Sequence, residues 1–202
     1  MPVLKFNKDR IARIISTLFV PPSFTIIVFT IFAFVLETEF IKTVVTILVA
    51  FLFGFTAQII LFIVLSRRGK IVDLDASVKE ERTTPFLISV GFYLVGLVIL
   101  IVFKVNIISI AFWFCYISNT LVTILINKHW KISAHAMGAA GPLAAITYVF
   151  GPTALVFSVI VLLVGWARIQ LKVHSFSQVI AGILFAFAST YLQILIIVKW
   201  FY

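Results

Sequence analysis

The sequence predicts an all-α fold, a polytopic bundle of membrane helices with about six to seven crossings and one short hairpin broken at Gly151-Pro152. Two observations predict it. Of 202 residues, 63% are hydrophobic and 11% charged, against about 45–50% and about 25% in a soluble domain. The few charges are also clustered. Runs free of Asp, Glu, Lys and Arg cover residues 14–36, 43–66, 83–103, 105–127, 132–167 and 173–198, with lengths of 23, 24, 21, 23, 36 and 26. A membrane-spanning helix needs about 20 apolar residues. The runs lack period-2 alternation, which excludes an outer-membrane barrel. High hydrophobicity and low charge exclude a disordered chain. The length suits a single integral membrane domain over residues 1–202.

The elements follow in order. Residues 1–13 form a basic arm, and Ile11 to Val20 is expected at the interface because Pro21-Pro22 interrupts a helix. The N-terminal MPVLKFNKDRIAR has no small-residue cleavage site, so the first span, running to about Leu36, is expected to be retained. The turn ETEF leads to a second span over about 43–66, and RRGKIVDLDASVKEERTTP, residues 67–85, is the longest polar segment. Two spans separated by Lys104-Val105-Asn106 come next, then NKHWK and the 36-residue run. As one helix that run would extend roughly 54 Å, far beyond a hydrocarbon core of about 30 Å. Gly151-Pro152 breaks it, which predicts one helix from about Ser133 to Phe150 and another from about Thr153 to Arg168. The pair is either two crossings or a re-entrant hairpin, and in both cases the chain returns to the side where it began. WARIQLKVHS then precedes the last span.

This layout puts Lys5, Lys8, Arg10, Arg13, Arg67, Arg68, Lys70, Lys79, Arg82, Lys128, Lys131, Arg168 and Lys172 on one face, leaving Lys42, Lys104 and Lys199 on the other. Such a bias marks a cytoplasmic face. The net charge of +9 therefore points to anionic lipid headgroups and topology signals, not to nucleic acid. Arg67, Arg68 and Lys70 read as topology determinants, and His129 in NKHWK as an interface anchor. Cys115, the one cysteine, sits mid-span as a small buried hydrophobe, which excludes a disulfide framework.

The histidines His129, His135 and His174 share the basic face with Lys79, Arg82, Lys131, Ser133 and Arg168. His135 and His174 are one helical excursion apart, so their imidazoles fall at similar depth. Ionisable groups at the ends of membrane helices are candidates for function. Guanidinium and ammonium donors suit phosphate oxygens. One histidine can attack phosphorus while a second protonates the leaving oxygen. A helix starting near Ser133 aims free N–H groups at an anion. The chemistry this suggests is phosphoryl transfer without a cofactor or a metal.

These residues carry a resemblance. ISAH at 132–135, followed by AMGAAG, resembles the P-S-G-H motif of the type 2 phosphatidic acid phosphatase family. Arg168-Ile-Gln-Leu-Lys-Val-His174-Ser-Phe-Ser-Gln178 resembles its S-R-x-x-x-x-x-H-x-x-x-D motif, with the arginine-to-histidine spacing intact and VIAG following. KEERTTP, residues 79–85, loosely resembles K-x-x-x-x-x-x-R-P. The family-like core covers about residues 67–190. The resemblance implies a membrane lipid phosphatase in which His174 becomes a phosphohistidine and His135 protonates the leaving group. Arg168, Arg82 and Lys79 would hold phosphate, assisted by Ser133 and Lys131. The substrate it implies is a lipid phosphate or diphosphate: phosphatidic acid, a phosphatidylglycerol phosphate or a polyprenyl diphosphate.

The departures from the pattern are specific. Ala167 replaces serine, Ile132 and Ala134 replace proline and glycine, and Asp75 stands at the lysine position of the first motif. Gln178 stands where the family has aspartate, so it can accept the same hydrogen bond from His174 but brings no charge. That substitution motivates an alternative, a catalytically weak relative that binds or transports phospholipid. A rival reading pairs Asp73 and Asp75 around Mg²⁺, as in intramembrane prenyltransferases, but the sequence holds no second acidic motif.

Overall fold

The computed structural model describes residues 7–201, and every regular element among them is helical. Helix α1 (Lys8–Leu18) opens after Asn7, whose side-chain oxygen accepts from the N–H groups of Asp9 and Arg10, as an N-cap does. Pro21 has no N–H with which to continue that ladder and instead starts α2 (Pro21–Leu36), so the two helices meet at 50°. Next come α3 (Phe40–Val49), a π-helical stretch at Ala50–Thr56, and α4 (Ala57–Arg67). Together they form one rod from Phe40 to Arg67. Gln58 Nε2 donates to the Phe53 carbonyl of the π stretch at 3.0 Å. The remaining helices are α5 (Thr83–Val102), α6 (Ile107–His129), α7 (Ala134–Phe150), α8 (Ser158–Gln170) and α9 (Phe176–Phe201).

The break predicted in the 36-residue run is present. Gly151 turns the chain with φ of 76°, and a 3-10 segment, Pro152–Phe157, leads into α8. A positive φ there strains any residue with a side chain. Five helical segments are long and apolar enough to cross a membrane by themselves, and the bent pair α1–α2 makes a sixth. The element short of a full crossing is α7. Its 17 residues extend about 25 Å, against a core of about 30 Å. The outward surface is apolar: Phe34, Leu162 and Leu184 are each more than 60% exposed. Two arginines lie inside, Arg82 2% and Arg168 0% exposed. This is a polytopic helical bundle with its polarity arranged for a membrane.

Two packing features position the polar end. Trp113 is wedged between Phe29 and Tyr93 with edge-on geometry, and its indole N–H donates to the Tyr93 carbonyl at 2.7 Å. This aromatic cluster locks α2, α5 and α6 together. Helix α7 presents Ala136, Ala139, Ala140 and Gly141 to its neighbours, all buried. Small residues let helix backbones approach closely in a membrane. A Cβ on Gly182 of α9 would lie 2.9 Å from the Ser133 carbonyl at the start of α7. The beginnings of α7 and α9 are therefore held side by side. Lys5, assigned from sequence to the basic face, lies outside the described residues.

Candidate functional site

The last turns of α4, α6 and α8 and the first turns of α5, α7 and α9 share one end of the bundle, and their connecting loops meet there. Arg168, in the last turn of α8, is its centre. Nη1 donates to Ser16 Oγ at 2.6 Å and to Asp75 Oδ2 at 2.7 Å. Nε and Nη2 are buried without a partner among the described residues. Withdrawing N–H groups from water with nothing to receive them costs free energy, so the guanidinium has unused capacity for an anion. Arg82, at the start of α5, donates from Nε to the Ala76 carbonyl at 2.7 Å and from Nη1 to the Ile132 carbonyl at 2.8 Å. It thereby ties the 68–78 loop to the loop that precedes α7.

His174 follows α8 by four residues and is nearly enclosed. Its backbone N–H donates to the Arg168 carbonyl at 3.3 Å, and Lys131 Nζ donates to the Val173 carbonyl at 2.7 Å. His174 Nδ1 lies 3.0 Å from Gln178 Oε1, which also accepts the Ser175 N–H at 3.2 Å. The Ser175 N–H fixes which amide atom faces the ring, and a carbonyl oxygen only accepts. The imidazole proton therefore sits on Nδ1, and Nε2 keeps its lone pair. Burial, and after it the Arg82 guanidinium, lowers the pKa of this ring from 6.5 to about 3, against the opposing pull of the Gln178 hydrogen bond. The ring is neutral at physiological pH.

His135 opens α7, and Ser133 caps that helix by accepting the Ala136 N–H at 3.4 Å. The Ser133 N–H donates to the Gln178 carbonyl at 3.3 Å, which joins the two histidine-bearing helix starts. His135 Nε2 is buried without a hydrogen bond and lies 3.6 Å from Asp75 Oδ1, beyond hydrogen-bond range. Asp75 thus faces both Arg168 and His135. Burial alone would raise its carboxyl, but the interactions with His135 and with the Arg168 guanidinium that donates to it outweigh burial and hold Asp75 below the ordinary carboxylate range.

The sequence-predicted residues divide accordingly. Arg168, Arg82, His174, Gln178, His135, Ser133 and Lys131 come together through these contacts. Lys79 lies apart: its ammonium faces Glu80 at 3.7 Å and makes no hydrogen bond to the cluster. His129 ends α6 on the surface. Asp73 accepts from the backbone N–H groups of Asp75 and Ser77 and from the Ser77 hydroxyl, so the two aspartates of the loop serve different partners. Two contributors, Ser16 and Asn127, escaped the sequence reading, and a third, Asp75, figured there only as a departure from the first motif and as half of a rival metal pair. Ser16 accepts from Arg168. Asn127 receives the Ile132 N–H at 3.3 Å. Asp75 accepts from Arg168 Nη1 beside Ser16. For Asp75 a signal existed, since it stands seven residues before Arg82 at the lysine position of the first motif.

Behind His135 a cavity of about 380 Å³ runs inward among α2, α4, α5, α6, α7 and α9. Fold and site together define a helical membrane-type bundle with a histidine and arginine cluster at one end. Neither a protein-family model, nor a curated protein, nor a solved structure matches the chain.

Proposed function

We propose that the chain is a multi-pass membrane lipid phosphatase that hydrolyses a lipid phosphate or diphosphate through a phosphohistidine, with the site on the cytoplasmic face. One observation carries the reading: an imidazole whose only proton is committed to Gln178 shares a cluster with a buried guanidinium that has two unused donors. His174 Nε2 attacks phosphorus, forming the P–N bond as the P–O bond to the lipid breaks. His135, protonated by a proton that enters with the substrate phosphate, gives that proton to the departing oxygen. Water then attacks the phosphohistidine, His135 takes up the water proton, and inorganic phosphate leaves. Arg168, Arg82 and Lys131 hold the equatorial oxygens, where charge is greatest in the transition state. Gln178 keeps the ring oriented. Lys79 is the weakest member of the proposed phosphate set.

The test is phosphate release from a panel of lipid phosphates, phosphatidic acid and polyprenyl diphosphate among them, by purified protein in EDTA, with turnover of at least one member as the positive result. Turnover that persists in EDTA and vanishes in His174→Ala is expected. Loss in EDTA with recovery on adding Mg²⁺ would contradict the reading. One observation favours a second reading, a phospholipid-binding relative with little turnover: a carboxylate, Asp75, already sits against Arg168 Nη1 and opposes a second anion there. Tight binding of phosphatidic acid with no phosphate release would establish that alternative.

A further inference from the structure

We propose that the cavity behind His135 receives the hydrocarbon chain of the substrate and has room for one chain, so that the substrate class is a single-chain lipid phosphate. The proposal rests on the roles given above to His174 and His135, which set the direction of the leaving group. In phosphoryl transfer the attacking and leaving atoms lie in line on opposite sides of phosphorus. His174 is not part of the cavity wall, whereas His135 is. Attack from His174 therefore sends the leaving alcohol toward His135, whose buried Nε2 has no partner, and on into the cavity.

The cavity has the character of a chain site. Cys115, in its wall, lies 14 residues before His129, the last residue of α6. At 1.5 Å per residue that is about 21 Å from the site end, most of the way through a core of about 30 Å. At the site end the wall carries His135 and Asp75; elsewhere in it polar side chains are spent on one another: Ser89 donates to Gln58 at 2.6 Å, Asn119 donates to Thr190 at 3.1 Å, and Thr25 pairs with Tyr116 at 3.1 Å. What remains for a ligand is largely apolar. At close to 30 Å³ per carbon group, about the volume of a water molecule in the liquid, the 380 Å³ holds roughly a dozen carbons. Two eighteen-carbon chains, about 1,080 Å³ on the same scale, exceed it nearly threefold. The bilayer is as apolar as the cavity, so moving a chain between them gains little hydrophobic free energy. Selection comes from shape and close contact.

The test uses a dodecyl monophosphate carrying a terminal diazirine, photolysed with the purified full-length protein and mapped by mass spectrometry. Labelling is expected on the cavity side of α5 and α6, around Tyr93, Cys115 and Tyr116. Excess dodecyl phosphate or farnesyl phosphate should suppress it at least tenfold, and dioleoyl phosphatidate should not. Thr120→Phe, which fills the cavity, should cut labelling at least tenfold, while Thr120→Val, close to threonine in volume, should leave it unchanged. Labelling confined to lipid-facing positions such as Leu94 or Leu125, or equal suppression by dioleoyl phosphatidate, would overturn the proposal. The competition arms need no variant, so they decide the matter even if Thr120→Phe fails to fold. The readout is also independent of turnover. Cavity labelling without phosphate release would leave the chain site standing and remove hydrolysis; turnover with lipid-facing labels would do the reverse.

Discussion

Asp75 stands seven residues before Arg82, where the resembled pattern has lysine, and its carboxylate takes Arg168 Nη1 at 2.7 Å. Nε and Nη2 remain for an incoming phosphate, which the neighbouring carboxylate opposes by like charge. A charge-assisted hydrogen bond contributes roughly 1.5–3 kcal/mol, and the partial exposure of Asp75 reduces the effective value. Asp75→Asn should therefore tighten vanadate inhibition about tenfold, the equivalent of about 1.4 kcal/mol. Weaker inhibition in that variant would mean that Asp75 supports anion binding instead of opposing it. Much of this site was legible in the sequence. Gln178 follows His174 by one helical turn, which brings the two side chains together. Arg168 precedes His174 by six residues, which a helix end and a tight loop span. The destination of Asp75 was not legible. It depends on a non-periodic loop whose path is set by Ala76 at φ of 44° and by the Arg82 hydrogen bond to the Ala76 carbonyl. Neither leaves a pattern in the residues themselves.

The helices α7 and α9 bring His135 and His174 to one place, and Gly182 sets their separation. A Cβ there would meet the Ser133 carbonyl at 2.9 Å, and backbone yields less readily than a side-chain tip. Overpacking of this kind costs roughly 1–3 kcal/mol. Gly182→Val should lower the melting temperature in detergent and cut the turnover number at least tenfold, because the Ser133–Gln178 contact opens with it. Unchanged turnover would show that the helix starts tolerate separation and that the two histidines act independently. The helix order and the break at Gly151-Pro152 were readable because charge clusters and proline punctuate the chain. The π stretch at Ala50–Thr56 was not, since the apolar run Phe40–Arg67 reads the same with either helical period. The cavity escaped as well: it is a gap between six helices, and no one segment encodes it.

Taken whole, the molecule is a bundle with an apolar exterior and its ionic cluster at one end, and twelve of the fifteen described Lys and Arg residues are assigned to that end. The proposed cytoplasmic orientation predicts that a cysteine placed at exposed Lys172, in a Cys115→Ser background, resists membrane-impermeant maleimide on intact cells and reacts after permeabilisation. Labelling of intact cells would put the site on the outside. The central claim is a covalent intermediate on His174, and trapping it is the most direct measurement. Purified protein is mixed with a ³²P-labelled lipid phosphate, quenched within milliseconds under alkaline conditions that preserve phosphohistidine, and mapped by peptide mass spectrometry. The account predicts a phosphoryl group on His174, absent from His174→Ala and accumulating in His135→Ala when its leaving step is bypassed with an activated ester such as p-nitrophenyl phosphate. Phosphate release with no label on His174, or a label on another residue, would contradict it.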